Sequence, residues 1–488
     1  MEPFSWPLVD EFLDRESELG RLEAWWQSAE RRPIALIGRR RVGKSWLFRR
    51  FAHGKPAVLL VAEQLPAGTQ LARFAQLLEP AVGVKPDLPD IAALFRVVYR
   101  AARKDKLLVV IDEFPWLLGS SAPEASRALT AVQAVMEEER DASKVKMVIC
   151  GSHVSQMDAL FGERNPMHGR LIRTELRPLS FADAGPFLAA LDAPVAFERF
   201  AVAGGMPLYL SRLADGSVRS AVCREILDRS GPLWNEGRSI LEQELHEPRV
   251  YFAILERLAS GAKELNEIAQ PMRMSGGVVA KYLNTLVDLR IVARHLPLGV
   301  PTTARVGHWR LEDPFLRFWF RFVFPFQSGL ESGLRAVDLF DAEVGPYLAD
   351  HVAPVFEDWC RAWLRSTHGE IVTTVGAWWG GAANRFRQSR QRTSEEIDAV
   401  GTSRGRVTLV AESKWTRRRL DTSIVTDIDM YKIPALEDAG FRVADCPRIV
   451  LFSRSGYSDG LHALADRDDR IELVDVEAAL RTRPSAVP

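Results

Sequence analysis

The sequence predicts an α/β protein, and three stretches carry that expectation. In the N-terminal third, the short apolar run "IALI" (34–37) leads into a glycine-bounded loop and then "WLFRRF" at helical spacing. Further on, "LLVVI" (107–111) is a continuous apolar run, as a parallel strand covered on both faces should be, and it ends in Asp112 and Glu113. In the last fifth, "EEIDAVGTSRGRVTLVAESKW" (395–415) reads as two strands around a turn, within the order α-β-β-β-α-β.

The chain has 488 residues, too many for one core, and should split into about three domains. Apolar content of 47% and charged content of 26% are ordinary for globular protein. Formal net charge is zero, so no global field draws the chain to nucleic acid and any such attraction must come from local patches. Cys150, Cys223, Cys360 and Cys446 lie far apart without a CxxC pair, which suggests neither zinc nor a disulfide framework. The N-terminus lacks the basic-then-apolar order of a signal peptide, and no apolar run is long enough to span a membrane. The expectation is a cytoplasmic protein with no membrane partner.

Gly38 to Ser45 reads G-x-x-x-x-G-K-S between a β-rich run and a helix, the context that separates a phosphate-binding loop from a chance match. Gly38 and Gly43 let the backbone turn, so that the N–H groups of Arg39, Arg40, Arg41 and Val42 and the helix N-terminus face phosphate. Lys44 should reach the β- and γ-phosphates of ATP, and the Ser45 hydroxyl should ligate Mg²⁺. Asp112 suits the second, water-mediated Mg²⁺ position, and Glu113 the polarisation of the attacking water. The D-E pair points to a sheet with an extra strand between the two motif strands, and "AVLLVAEQ" (57–64) is a candidate for a neighbouring one. "KVKMVICGSHVS" (144–155) is another buried strand, ending at Ser152, which either senses the γ-phosphate or closes a turn. Arg170 is either an arginine finger or a structural ion pair.

With "FLDRESELGRLEAWW", "GRRRVGKS", "VVIDEFPWLL", "VICGSHVSQM" and "GGMPLYL" in this order, the chain over roughly residues 10–330 resembles the archaeal-type ATPases. These belong to the STAND class of P-loop NTPases, related to the AAA+ group. The resemblance implies that the segment around Arg15 and Glu16 lies near the nucleotide base. It also implies that "GGMP" (204–207), with Gly205 and Pro207 in matching places, marks a helical lid. A homo-oligomer or a signalling protein partner is implied as well, although no interface is legible.

From residue 244 the pattern is three helices and a hairpin. "EPRVYFAILERLASG", "ELNEIAQ" and "SGGVVAKYLNTLVDLRIV", with Ser275 as N-cap, precede two short strands within 293–313. This reads as a winged helix-turn-helix whose third helix carries Lys281 and Asn284 but few other contacts for DNA. An intramolecular role stands beside DNA binding. "DPFLRFWFRFVFPF" (313–326) should be core, with arginines snorkelling over a seam.

In the last domain, Asp398 on one strand and Glu412 with Lys414 on the next look like the PD-(D/E)xK restriction-endonuclease-like superfamily. C-terminal domains of this kind accompany the archaeal-type ATPases. Glu412 and Lys414, two apart, share a strand face. A five-residue loop "TSRGR" would set Asp398 opposite Val410 and leave Glu412 a diagonal neighbour about 7–8 Å away. A loop of even length would turn Asp398 to the other face. Read so, Asp398 and Glu412 hold Mg²⁺ or Mn²⁺, Lys414 orients or deprotonates water, and Glu357 on the preceding helix is a further metal ligand. Arg385, Arg387, Arg390, Arg392 and Arg417 to Arg419 suit a phosphate backbone. The null alternative is a polar hairpin face with one Glu–Lys pair.

The predicted organisation is therefore a P-loop NTPase core (1–180), a helical lid (181–243), a winged helix-turn-helix (244–330) and a C-terminal restriction-endonuclease-like α/β domain (345–488). Two function classes follow. In one, a regulatory ATPase is coupled to a metal-dependent DNA endonuclease; in the other, an ATP switch carries a C-terminal domain that binds nucleic acid or protein without cleavage.

Overall fold

The computed structural model describes residues 15–119, 121–245, 247–304, 306–388 and 392–481. The chain divides into two units, Met1–Leu179 with Met206–Leu208, and Ser180–Gly205 with Tyr209–Pro488.

In the first unit, strands β1 (Ile34–Ile37), β2 (Ala57–Val61), β3 (Leu107–Asp112), β4 (Val145–Gly151) and β5 (Ile172–Glu175) form a parallel sheet in the order β2-β3-β4-β1-β5. Every residue of β1, β3 and β4 is buried, as an uninterrupted apolar run requires. The strand between the two motif strands is β4. The sequence candidate for a neighbouring strand, β2, pairs with the other side of β3 at the sheet edge. Helices α1 (Glu16–Gln27), α2 (Lys44–Ala52), α3 (Ala67–Val82), α4 (Ile91–Ala101), α5 (Ala122–Glu139) and α6 (Val154–Ala159) complete the unit. Asp90 caps α4 by accepting from the Ala93 N–H at 2.7 Å, and Ser121 with Glu124 forms a capping box on α5. Leu94, Phe95 and Val98 of α4 pack in one core with Val109 and Ile111 of β3 and Val132 of α5. Each such burial contributes about 1.5–3 kcal/mol.

The second unit begins with short helices, α7 (Gly185–Leu188), α8 (Ala193–Ala203), α9 (Pro207–Arg212, its first turn shared with the first unit), α10 (Val218–Val222) and α11 (Glu236–Glu244). Then come α12 (Pro248–Ala259), α13 (Leu265–Ala269), α14 (Gly276–Asp288) and an antiparallel pair, β6 (Val292–His295) and β7 (His308–Leu311). Ser275 stands at the N-cap of α14, but its side chain makes no cap hydrogen bond, and its carbonyl accepts from Val278 and Val279 instead. Helix α15 (Pro314–Phe322) is core, as its aromatic run predicts, and even Arg317 is buried, donating to the His351 carbonyl at 3.0 Å. Two short helices, α16 (Gln327–Glu331) and α17 (Ala336–Leu339), lead to the long α18 (Gly345–Thr367). Residues 244–330 and 345–488 fall in the second unit with most of 181–243, of which residues 206–208 belong to the first.

The second sheet contains β8 (Thr374–Gly381), β9 (Ser394–Ser403), β10 (Arg406–Lys414), β11 (Arg442–Ser453) and β12 (Ile471–Val474), in the order β12-β11-β10-β9-β8. Strands β8, β9 and β10 are antiparallel, while β10, β11 and β12 are parallel. Helix α19 (Asn384–Gln388) joins β8 to β9. Between β10 and β11 run α20 (Ser423–Asp427), a π-helical turn (Ile428–Lys432) and α21 (Ile433–Asp438); α22 (Asp459–Ala465) and α23 (Val476–Arg481) flank β12. One face of the sheet, with Leu409, Ala411 and Val450, is covered by Phe356 and Leu364 of α18. The other, with Val400, Val410 and Ile449, is covered by Val425, Ile428 and Leu436.

The β9–β10 connection differs from the five-residue loop expected. It is a two-residue turn, Arg404 (φ 50°) and Gly405 (φ 75°), both left-handed, the geometry whose twist matches a hairpin. A plain two-residue turn pairs Arg406 with Ser403 and Val407 with Thr402, and continued so it would set Asp398 across from Ala411 and off the Glu412 face. A bulge at Thr408 shifts the register by one. Val410 then faces Val400 and Ala411 faces Ala399, which brings Asp398 up beside Glu412. A second irregularity, in the β8–β9 pairing between Gly376 and Trp378, falls at Asp398 and Ala399.

Candidate nucleotide site and carboxylate–lysine cluster

The loop after β1 passes so close to the end of β5 that a Cβ on Gly38 would sit 2.7 Å from the Leu176 carbonyl oxygen. Gly43 has φ +97°, which a side chain would strain, and Pro207 is its nearest neighbour at 3.7 Å from a built Cβ. The residues between, Arg39, Arg40, Arg41 and Val42, turn the chain into α2, with Arg41 itself left-handed at φ 68°. Lys44 is buried; its ammonium donates to the carbonyls of Gly38 (2.6 Å) and Arg39 (3.2 Å) and to Ser152 Oγ (3.2 Å). Burial lowers its pKa, against the opposing pull of Glu113.

Ser45 Oγ donates to Asp112 Oδ2 at 3.2 Å, so the two residues assigned to Mg²⁺ adjoin. Burial, and then the charge of Glu113, raise the Asp112 pKa. Glu113 is left-handed (φ 52°), and Ser152 holds both its oxygens, through the hydroxyl on Oε1 and the N–H on Oε2 at 3.0 Å. Ser152 is therefore more than a closed turn: its oxygen links Lys44 to Glu113. Arg170 donates from Nε to Glu137 at 3.0 Å and from Nη1 to two carbonyls, the structural pairing of the two alternatives. Sequence reasoning missed the reach of Arg15, which donates to the loop carbonyl of Val42 at 3.0 Å and to that of Arg177 at 2.7 Å. A left-handed Arg before a helix gives no sign of this.

In the second unit, the β9–β10 pair gathers Asp398, Glu412 and Lys414. The Lys414 ammonium lies 2.9 Å from Glu412 Oε2 and 3.2 Å from Asp398 Oδ2. Asp398 Oδ2 also accepts from the Ser413 N–H at 2.8 Å and its hydroxyl at 3.1 Å. Glu412 is 1% exposed; burial, and then the charge of Asp398, raise its pKa. For Lys414, burial acts downward, but Asp398 and Glu412 outweigh it and the pKa rises. A residue the sequence reading did not include completes the group: Lys432 donates to Glu412 Oε1.

Glu357, on α18, lies close enough to Asp398 to feel its charge. Burial, and then the Asp398 charge, push its pKa up to about 7, and its ion-pair partner is Arg361, 3.9 Å away. Among the described residues no three His, Cys, Asp or Glu side chains are arranged to hold a metal ion, so Glu357 does not join Asp398 and Glu412 as a third ligand. From α18 it is the Arg361 guanidinium that reaches the hairpin, while Asp358 pairs with Arg310 and Arg361. Arg361 donates to the Asp398 carbonyl at 2.5 Å and to Asp358 at 2.6 Å, and Arg310 of β7 donates to Asp358 at 2.8 Å.

Of the arginines expected to flank the site, Arg385 donates to the Met430 carbonyl at 2.8 Å and Arg387 to Asn384. Arg392 pairs with Asp427 at 2.7 Å and Glu395 at 3.1 Å and lies 3.8 Å over the Tyr431 ring. Arg390 lies outside the described residues. Arg417, Arg418 and Arg419 are exposed just beyond Lys414. The two carboxylates with hard oxygens fit Mg²⁺ or Mn²⁺, since such ions need only one or two carboxylates beside water.

Residues 27–157 match a family described as an AAA domain, and residues 319–426 match a family of archaeal and bacterial proteins of unknown function, DUF234. An uncharacterized protein of Methanocaldococcus jannaschii is 26% identical over 412 residues, 83% of this chain and 87% of that one. Among solved structures, a Walker-type ATPase of Pyrococcus abyssi is 17% identical with a TM-score of 0.47, covering 65% of this chain and 98% of that one. The ORC2 protein of Aeropyrum pernix is 16% identical with a TM-score of 0.38, covering 72% and 98%. A STAND protein of Pyrococcus horikoshii is 14% identical with a TM-score of 0.30, covering 76% and 52%. Among the described residues no helix is long and apolar enough to cross a membrane.

Proposed function

We propose that this AAA-type P-loop ATPase binds and hydrolyses ATP with Mg²⁺ and thereby controls a metal-dependent DNA endonuclease site in its second unit. One observation carries the second half: Lys414 joins two carboxylates, Asp398 and Glu412, from adjacent strands of a mixed five-stranded sheet. At the nucleotide site, Lys44 and the loop N–H groups bind the phosphates, Ser45 and Asp112 hold Mg²⁺, and Glu113 orients the attacking water once the γ-phosphate draws Lys44 away from Ser152. At the cluster, Asp398 and Glu412 hold the metal and Lys414 orients or deprotonates water toward the phosphodiester. The metal's contribution is a more acidic bound water and charge compensation in the transition state.

The helices α12 to α14 with the β6–β7 hairpin are read as a winged helix that works inside the protein. Its hairpin is engaged within its own unit: His308 stacks on Trp379 at 4.4 Å, and the Leu298 N–H donates to the Ala377 carbonyl at 2.8 Å. The exposed residues of α14 include Val278, Lys281, Asn284 and Asp288, a poor charge for a phosphate backbone. DNA contact is assigned instead to Arg417, Arg418 and Arg419.

A second reading, an ATP switch whose C-terminal part binds without cutting, is favoured by one contact. The Lys414 ammonium takes the place between the carboxylates that a divalent cation would need. Plasmid nicking with Mg²⁺ or Mn²⁺ separates the two. Cleavage lost in both Asp398→Ala and Lys414→Ala supports the endonuclease; cleavage surviving both refutes this site, and none in the wild type favours the switch.

A further inference from the structure

Glu412 is the most buried acid of the cluster, and each of its oxygens has its own ammonium. Lys414, on Oε2, has a side chain 37% exposed, whereas that of Lys432, on Oε1, is only 11% exposed. Lys414 is shared with Asp398 and can swing outward. Lys432 cannot: its other acid within ion-pair range, among the described residues, is Asp427 at 3.9 Å. Lys432 closes the π-helical turn Ile428–Lys432, and single π turns in otherwise α-helical segments are frequent at functional sites. The wide turn carries Lys432 in beneath the β10 strand. A buried ion pair is a poor device for stability, because two charges must be stripped of water. Its presence here fits a demand made by the site.

We propose that Lys432 is a positioning residue for metal binding: it holds Glu412 Oε1, leaves Oε2 free to face Asp398, and leaves Lys414 as the cation that a divalent ion displaces. The inference rests on the metal-dependent reading of the cluster. When Lys414 gives way, Lys432 remains as the ammonium on Glu412. Without it, a buried carboxylate beside Asp398 has no fixed partner to orient it. Partners that orient metal ligands in this way typically change metal affinity by about 10–100-fold when removed.

The test is Mn²⁺ binding to the full chain without nucleotide, read from the electron paramagnetic resonance of free Mn²⁺. Lys432→Met should weaken binding by about tenfold or more, and so should Glu412→Gln. The double variant should be no weaker than Glu412→Gln alone, because Lys432 acts through Glu412. Lys414→Ala should bind at least as tightly as wild type, its competing cation being gone. ATP binding should be unchanged in all four. Losses that simply add, or a Lys432→Met protein that binds Mn²⁺ as well as wild type, overturn the proposal while leaving the metal reading intact. A wild type that takes up no Mn²⁺ overturns both. If Lys432→Met fails to melt cooperatively, Lys432→Arg decides: retained binding supports the role, and loss in a folded protein refutes it.

Discussion

The nucleotide loop and the carboxylate–lysine cluster both set a lysine near acids at strand ends, but they are assembled by different rules. Lys44 is contacted by Gly38 and Arg39 of its own loop and, from elsewhere, by Ser152. Its partners are fixed by a contiguous motif and by the ends of fully buried strands. Lys414 meets Asp398 from another strand, and Glu412 meets Lys432 from a helix that follows. That cluster depends on the β9–β10 register, which the two-residue turn and the irregularity at Thr408 set together, and on a π-helical turn. A local motif tolerates change elsewhere, whereas an assembled one fails with any slip of register.

The comparison can be broken most severely at the loop. Lys44→Ala should abolish ATP binding, measured by calorimetry, because a buried ammonium aimed at the phosphates has no substitute. Glu113→Gln should still bind ATP while turnover falls by about 10²–10⁴-fold, the usual contribution of a positioned base; retained hydrolysis would refute its role. At the cluster, Asp398→Ala should eliminate Mn²⁺-dependent nicking and leave ATP turnover within about twofold, since the P-loop motif does not include it; a joint loss would mean that the cluster also supports the ATPase.

Smaller effects probe how the cluster is held. Asp358→Asn leaves Arg310 and Arg361 with a weaker acceptor. Allowing for its partial exposure, this should cost about 1–2 kcal/mol, read as a lower melting temperature; no change would show that this network is not needed to hold α18 against the hairpin. Deleting Thr408 should do least. Val407 then pairs with Thr402 and Leu409 with Gly401 as consecutive residues of a regular ladder, so Asp398 stays beside Glu412. Mn²⁺ binding should remain within about threefold of wild type, whereas one Ala inserted after Val410 should abolish it by turning Glu412 to the other face.

Much of the site was legible because side-chain alternation is a local rule. Glu412 and Lys414 share a face as their spacing requires, and the G-x-x-x-x-G-K-S run lies between β1 and α2. The hairpin parity was not legible, since the outcome needed both a shorter turn and a bulge. Nothing in "GTSRGRVTLV" announces that Thr408 drops out of the ladder. Lys432 was hidden for a similar reason: a lysine in "DIDMYK" looks solvent-facing at α-helical spacing, and the π turn redirects it. Glu357 was chosen for its charge on the right helix; it feels the Asp398 charge, but the α18 side chain that bonds the hairpin is Arg361, on the Asp398 carbonyl.

The sequence by itself determined the parallel nucleotide-binding sheet, its loop chemistry, and the acid–acid–lysine set near the C-terminus. Apolar run length, glycine placement and two-residue alternation act over a few neighbours and need no knowledge of the rest. Tertiary structure alone decided which strand entered between β1 and β3, and which second lysine met Glu412. It also decided whether Asp398 came to the right face. Those outcomes depend on register and packing between segments distant in sequence, where a single residue gained or lost reverses the direction of a side chain.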